Sequence, residues 1–164
     1  MHSNSLTLMQ EMRSRYVLSG ARVLDVGGAD VNGSYRRLFS DCSYVTLDLH
    51  PSADIVVEGY DWPLDDASFD IVVSGQTLEH DKFFWLTVRN IARVVVDDGV
   101  FLLVVPAAWP IHRFPIDCYR FLPDSIYAMA EWGGFNVLSV KHDQSSLGPG
   151  RADLAAALRK QIRR

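Results

Sequence analysis

A glycine-containing turn at residues 23–35, VLDVGGADVNGSY, has the clearest potential for chemistry. A short apolar run that predicts a buried strand leads directly into Gly27 and Gly28, and Gly33 follows. Glycines let the backbone approach a ligand closely. The spacing matches neither the dinucleotide-binding sequence G-x-G-x-x-G nor a phosphate-binding P-loop. Asp30 stands in the loop where a basic residue would favour phosphate, so the turn suits a ligand that carries positive charge.

Two acids at the ends of the next predicted strands narrow the kind of ligand. Asp48 ends the strand predicted at 43–49 and lies 21 residues after Gly27 (48 − 27), and Glu58 ends the strand predicted at 54–59. An acid about 20 residues past a glycine turn can accept hydrogen bonds from both ribose hydroxyls. Either acid alone could be a strand-end cap or a solvated loop residue. Together with the turn they favour a nucleoside, and a positively charged nucleoside is S-adenosylmethionine.

His80, His112 and Asp117 are the candidates for proton transfer, because a reacting hydroxyl needs a base and a reacting amine must be presented neutral. His112 and Asp117 lie in the stretch AAWPIHRFPIDCYRFLP, residues 107–123, and a loop of that length in a compact domain is usually functional. The alternative is that His112 and Arg120 bond Asp117 and fix the loop. Aromatic and basic residues of the same loop are predicted to line a substrate pocket: Trp109, Arg113 and Tyr119.

The candidate site residues follow predicted strands, so the fold must bring the ends of those strands together. Six strands are predicted, at 22–27, 43–49, 54–59, 69–75, 100–106 and 135–143. Helices are predicted between them and before them, at 5–18, 34–41, 81–99 and 123–135. This alternation predicts a Rossmann-like, doubly wound α/β sandwich of three layers around a mostly parallel sheet. Ligands of such sheets bind beyond the carboxyl ends of the strands.

The last stretch, residues 144–164, is predicted to be a linker and a terminal helix. The helical spacing that supports this prediction is that of Leu154, Ala157, Leu158 and Ile162. A seventh strand is therefore predicted to be missing or replaced by the helix. The exposed edge of such a sheet would favour a homodimer. A single domain, 1–164, is predicted, with an N-terminal helix at 1–20 and a core at 21–143.

Composition excludes several classes of function. A formal net charge of −4 provides no basic surface for nucleic acid or membrane, and no apolar run is long enough to span a bilayer. Cys42 and Cys118 stand far apart, so neither a disulfide framework nor a metal site is predicted. The N-terminus lacks the pattern of a signal peptide. The sequence thus predicts a cytoplasmic protein whose partner is a small-molecule substrate.

Several stretches of the chain resemble class I S-adenosylmethionine-dependent methyltransferases. They are VLDVGGADVNGSY, VTLDLHP, VVEGYDWPLDDASFDIVVSGQTLEH and WPIHRFPIDCYRFLPDSI with MAEWGGF. The resemblance runs from about residue 20 to 140 and is closest to the small-molecule branch that has L-E-H after the fourth strand. The glycine turn departs from the commoner D-x-G-x-G-x-G and is similar to a D-V-G-x-x-D-V-N-G variant. The resemblance implies S-adenosylmethionine as the cofactor.

The resemblance also implies roles for single residues. It puts Asp25 and Gly27 against the methionine part of the cofactor, Asp48 at the ribose and Glu58 at the adenine amino group. Gly75 would offer its carbonyl to the cofactor's ammonium group. Tyr35 would close the loop and contact cofactor or substrate. The full set of implied cofactor residues is Asp25, Gly27, Gly28, Asn32, Gly33, Asp48, Leu49, Glu58, Gly59, Tyr60 and Gly75.

The predicted function is therefore methyl transfer from S-adenosylmethionine to the oxygen or nitrogen of a small molecule, such as a hydroxylated or sugar-containing metabolite. A nucleic-acid methyltransferase is disfavoured, because no N-P-P-[YF] sequence follows the fourth strand. The alternative is a non-catalytic binding or assembly module that keeps the fold. The short segment after the sixth predicted strand keeps that alternative open.

Overall fold

A computed structural model describes residues 3–31, 33–144 and 148–162, and that part contains three α-helices and seven strands. The helices are α1 (Ser3–Tyr16), α2 (Phe84–Val94) and α3 (Pro123–Gly133). The strands are β1 (Arg22–Val26), β2 (Ser43–Asp48), β3 (Ile55–Val56), β4 (Phe69–Gly75), β5 (Val95–Ala108), β6 (Phe135–Asp143) and β7 (Ala152–Lys160).

All seven strands form one sheet in the order β3-β2-β1-β4-β5-β7-β6. Strands β1 to β5 are parallel, and β7 runs antiparallel between β5 and β6. The predicted Rossmann-like fold with a mostly parallel sheet is confirmed. The carboxyl ends of β1, β2, β4 and β5 share one edge, which we name the carboxyl edge.

Apolar side chains cover both faces of the sheet and explain its three layers. Leu24, Val72 and Phe101 belong to the buried cluster that α2 and α3 cover. The neighbouring residues in the chain, among them Val23 and Val73, belong to a second cluster under α1. Because successive residues of a strand face opposite sides, a strand buried on both faces is apolar at nearly every position.

The predicted C-terminal helix is wrong, and so is the six-stranded sheet, because residues 152–160 form β7. Leu154 and Leu158 face the α2–α3 cluster, whereas Ala155 and Ala157 face the α1 cluster. Burial on both sides removes the polar residues that would reveal a period of two. Alanine also favours helices intrinsically, and the pairing with two strands overrides that preference.

Amides of β7 are expected to be among the slowest to exchange with solvent. Ala156 pairs with Leu103 of β5 and with Val140 of β6, so its backbone is protected on both sides. In NMR hydrogen exchange, amides 155–158 should exchange on the order of 10³-fold or more slower than unprotected amides. Cross-strand NOEs should connect Ala156 to both partners. Exchange within minutes, as in the exposed turn at 49–52, would contradict an interior strand.

Other differences concern the ends of elements. The helix predicted at 81–99 ends at Val94, and Val95 already pairs with Phe69 in the sheet. The strand predicted at 54–59 is reduced to two residues, and the helix predicted at 34–41 is a single 3-10 turn at Arg36–Phe39.

The strands at the margins of the sheet are β3 and β6, and β7 lies inside it, paired with both β5 and β6. The homodimer prediction rested on a missing strand, and that strand is present. No helix in the described part of the chain is long and apolar enough to cross a membrane.

Candidate active site

The glycine loop follows β1 at the carboxyl edge. Gly27 has a φ of +78°, a conformation that favours glycine, and its N–H donates to the Leu47 carbonyl at 2.8 Å. A Cβ at Gly27 would lie 2.7 Å from Thr77 Cβ and closer still to two other Thr77 atoms. The loop is thus held between the end of β2 and the turn after β4, where only a glycine fits.

Asp25 is buried directly beneath this loop, with 2% of its surface exposed. It accepts a hydrogen bond from the Tyr44 hydroxyl, and a Cβ at Gly28 would lie 2.5 Å from its carboxyl carbon. The pKa of Asp25 is raised to about 7, mainly by burial; the hydrogen bond from Tyr44 lowers it, and the negative charge of Asp48 adds to the increase.

Asp48 joins the end of β2 to the glycine loop. Its Oδ2 accepts from the Ala29 N–H at 3.1 Å, and its Oδ1 accepts from the His50 N–H at 3.0 Å. A carboxylate has about four lone-pair positions, so both oxygens can still accept from a ligand hydroxyl. Leu49, which follows, is 68% exposed.

The segment after β3 is more open. Glu58 and Gly59 are exposed, and Gly59 has a φ of +102°. The Tyr60 hydroxyl donates to Asp81, and the Tyr60 carbonyl accepts from Asn90 Nδ2 at 2.7 Å. These bonds anchor Tyr60 to α2 and leave Glu58 at the surface of the carboxyl edge.

Gly75 ends β4 against the ring of Tyr35. A Cβ at Gly75 would lie 2.5 Å from Tyr35 Cε2 and 2.6 Å from Cζ. Tyr35 is 1% exposed, and its hydroxyl lies 2.5 Å from Ser5 Oγ at the start of α1. The N-terminal helix therefore supports the edge from beneath.

A second α1 contact involves a buried acid at the start of β7. Asp153 is fully buried and accepts from Asn4 Nδ2 at 2.9 Å and from Gln76 Nε2 at 3.1 Å. Gln76 has a φ of +56°. Asp153 thus ties β7 to α1 and to the turn after β4.

Residues 109–122, which we name the aromatic loop, connect β5 to α3 without helix or strand. Arg120 donates to both oxygens of Asp117, at 2.5 and 2.7 Å, and to the Trp109 carbonyl at 3.1 Å. Asp117 also accepts from the His112 N–H at 2.7 Å. The Arg120 guanidinium holds the pKa of Asp117 well below its usual range. These contacts are those of the alternative in which Asp117 fixes the loop.

Glu79, His80 and His112 meet where the aromatic loop packs on the turn after β4. Glu79 is fully buried, and neither carboxyl oxygen has a hydrogen-bond partner in the part of the chain that the structure describes. Burial raises its pKa to about 8. His80 Nε2 lies 3.7 Å from Glu79 Oε1, and the rings of His80 and His112 lie edge to face at 4.9 Å. Burial lowers the pKa of His80.

Residues 24–103 match a protein family described as a methyltransferase domain. Over these residues, the chain is similar to methyltransferase domains. The match runs from β1 into β5 and includes the glycine loop, Asp48 and Gly75. It bears out the predicted resemblance to methyltransferases, whereas the D-V-G-x-x-D-V-N-G variant of the loop stays a prediction. No curated protein matches the chain by sequence.

Solved structures of low sequence identity have the same fold. A SAM-dependent methyltransferase from Methanosarcina mazei is 13% identical, with a TM-score of 0.74 over 93% of this chain and 98% of that chain. The YcgJ protein from Bacillus subtilis is 15% identical, with a TM-score of 0.73 over 98% of this chain and 100% of that chain. A third structure is the 1,6-didemethyltoxoflavin-N1-methyltransferase of Burkholderia thailandensis, solved with S-adenosylhomocysteine. It is 15% identical, with a TM-score of 0.74 over 98% of this chain and 78% of that chain.

Most predicted site residues of the methyltransferase domain lie at the carboxyl edge, but not all lie together. The Trp109 and His112 rings lie 6.4 Å apart, and Arg113 is exposed nearby in sequence. Tyr119 is turned toward α2, where its hydroxyl donates to the Lys82 carbonyl at 2.7 Å. Gly33 has a φ of +105°, and Asn32 lies outside the described residues.

Two buried acids of the site were missed by sequence reasoning. Asp153 is hidden in an alanine-rich segment that predicts a helix, so its place at the sheet edge could not be deduced. Glu79 offered a weak signal, since it follows Leu78 in the L-E-H sequence shortly after an apolar strand.

Proposed function

We propose that this protein binds S-adenosylmethionine at the carboxyl edge and transfers its methyl group to the oxygen or nitrogen of a small molecule. The observation that carries the proposal is the bond between the Asp48 carboxylate and the Ala29 N–H, which locks the glycine loop to the acid at the end of β2. A close-approach backbone and a ribose-binding carboxylate thus form one rigid unit. Glu58, Gly59 and Tyr60 would continue this surface toward the adenine, and Leu49 would cover it.

Electrostatics at the edge support a cationic ligand. Asp25 and Glu79 are buried carboxyls whose pKa values are raised by burial. A positive charge bound nearby would favour their ionised forms. S-adenosylmethionine carries a sulfonium and an ammonium, and it supplies a methyl group on a good leaving group. Gly75 is proposed to direct its carbonyl to the ammonium.

The aromatic loop is proposed to hold the acceptor. Trp109 would provide an apolar wall, and the exposed Arg113 could pair with an anionic group of the acceptor. His112 or His80 would take the proton of a hydroxyl acceptor, while Asp117, bonded to the His112 N–H, keeps the loop in place. The lowered pKa of His80 keeps its ring neutral, as a base must be. Tyr119 and Tyr35 would support the pocket from behind.

The carboxylate of Asp48 is expected to account for much of the affinity for the cofactor. In calorimetric titration, Asp48→Ala should bind S-adenosylmethionine roughly 10- to 100-fold more weakly, since hydrogen bonds to a charged group contribute about 1.5–3 kcal/mol. Asp48→Asn, which keeps an acceptor oxygen, should lose less. Asp65→Ala, at an exposed acid before β4 on the opposite edge, is the matched control and should bind normally.

Absence of binding by the wild type, or unchanged affinity in Asp48→Ala, would overturn the cofactor site. Formation of S-adenosylhomocysteine with a panel of hydroxylated and amine metabolites then distinguishes an enzyme from a non-catalytic module. The alternative of a non-catalytic module was kept open by the short C-terminal segment. Part of that segment forms β7, the seventh strand of the sheet.

A further inference from the structure

Glu79, His80 and His112 bring three potential metal ligands together at the carboxyl edge. One ligand atom from each lies within 4.8 Å of the others. Glu79 and His80 belong to the turn after β4, and His112 to the aromatic loop after β5. We propose that these three side chains bind a divalent transition-metal ion.

Glu79 is the strongest argument for a cation. Its side chain is fully buried, and both carboxyl oxygens are without a hydrogen-bond partner among the described residues. A buried carboxyl without a partner is unfavourable, and most such groups in proteins are paired or bind metals. The Glu79 carbonyl accepts from the Cys118 N–H at 2.7 Å, so the residue is fixed at the junction of the two loops. A metal ion would supply the partner that the carboxylate lacks.

His80 is oriented as a metal ligand. Its Nδ1 lies 2.5 Å from the Ile116 carbonyl oxygen, which can only accept, so Nδ1 carries the proton. The lone pair is then on Nε2, the atom that faces Glu79 Oε1 at 3.7 Å. Metal-binding histidines commonly donate their other N–H to a backbone carbonyl in this way.

His112 completes the set from the facing loop. Its Nδ1 lies 3.1 Å from the Pro110 carbonyl and 3.4 Å from Asp117 Oδ2, and these two acceptors favour a proton on Nδ1 and a lone pair on Nε2. The nearest positive charge, Arg120, lies 3.4 Å from the same Nδ1 but is paired with both oxygens of Asp117. The cation at Arg120 is therefore largely neutralised and does not exclude a metal ion.

The distances are close to those of a coordination sphere. Two ligands about 2.1 Å from a common ion lie roughly 3–3.4 Å apart in octahedral or tetrahedral geometry. The 3.7 Å between His80 and Glu79 needs only a small rotation, and the other distances, which are within 4.8 Å, need a larger one at His112. Two imidazoles and one carboxylate suit Zn²⁺, Fe²⁺ or Co²⁺ and leave coordination positions open. If the proposed function is correct, a bound ion would take over the part proposed for the histidines, whose Nε2 atoms it would occupy: an acceptor hydroxyl at an open position would lose its proton more readily, because the ion would lower its pKa.

The test is a titration of chelator-treated protein with Co²⁺ alone, followed by visible absorption and calorimetry. The wild type should bind one equivalent, displaceable by Zn²⁺. Glu79→Gln and His112→Gln should each weaken binding by about 10-fold or more. His112 is 36% exposed, so its substitution leaves the core intact and keeps the test valid if Glu79→Gln fails to fold. His142→Gln, at an exposed histidine of β6, is the control and should bind normally.

Absence of stoichiometric Co²⁺ binding would overturn the proposal, and so would unchanged affinity in His112→Gln. Loss of binding in the control would place the ion elsewhere and overturn it as well. The titration uses neither cofactor nor acceptor, so its failure would not affect the cofactor test at Asp48.

Discussion

Gly75→Ala is expected to lower the free energy of unfolding by about 3 kcal/mol, measured by urea denaturation. The new Cβ would lie 2.5 Å from Tyr35 Cε2 and 2.6 Å from Cζ, well inside van der Waals contact. Tyr35 cannot move aside easily, because it is 1% exposed and its hydroxyl is bonded to Ser5. The clash would therefore displace β4, α1 or both, and we expect weaker cofactor binding as well.

Two comparisons identify crowding as the cause. Gly20→Ala places a Cβ where no atom lies within 4 Å but keeps a φ of +82°, so it should cost only about 1–2 kcal/mol. Combining Gly75→Ala with Tyr35→Leu should cost less than the sum of the two single changes, since the shorter side chain makes room. Additive effects, or a Gly75→Ala loss no larger than that of Gly20→Ala, would contradict the packing described.

Asp25→Asn is expected to flatten the dependence of stability on pH. Burial raises the pKa of Asp25 from 3.8 to about 7, which corresponds to about 4 kcal/mol at about 1.4 kcal/mol for each pKa unit. Since the pKa is higher in the folded than in the unfolded state, the folded state binds more protons between these values. The stability that Asp25 contributes is fully present below pH 4 and is lost as the pH rises to about 7. The variant, whose side chain cannot ionise, lacks this loss.

The measurement is urea denaturation of both proteins from pH 4 to 8. The wild type should lose about 4 kcal/mol relative to Asp25→Asn across this range, and comparing the two proteins cancels other groups, including Glu79 and His80. Asp70→Asn is the opposite case, because Arg22 lowers the pKa of Asp70. That variant should lose stability relative to wild type above pH 4. Parallel curves for the wild type and Asp25→Asn would show that Asp25 is ionised throughout.

The parallel half of the fold could be predicted because its signals are local. Each of β1, β2 and β4 is a short apolar run that ends at a glycine or an acid, and parallel strands place such ends at one edge. The sequence therefore predicted that Asp48 and the glycine loop lie close together. Strand β7 could not be predicted, since both of its faces are apolar and one of its two partners, β5, is distant in sequence.

The candidate site divides in the same way. Site residues that directly follow a strand could be predicted from the sequence. The contacts of the aromatic loop could not, because the loop has no regular secondary structure that a sequence period would indicate. The sequence offered His80, His112 and Asp117 as separate candidates. The bond between Arg120 and Asp117 was open as the alternative, and the folded loop makes it. That Glu79 joins the two histidines is shown only by the folded loop.

The place of β7 in the sheet also has a consequence for synthesis. Until residues 152–160 have left the ribosome, β5 has an open edge and β6 has no neighbour to pair with. Until then the nascent chain displays apolar, unpaired backbone, a condition that favours misassociation and chaperone binding. A ribosome that pauses before the codons for residues 152–160 would prolong that exposure. Once this segment has left the ribosome, β7 can pair with β5 and β6 together.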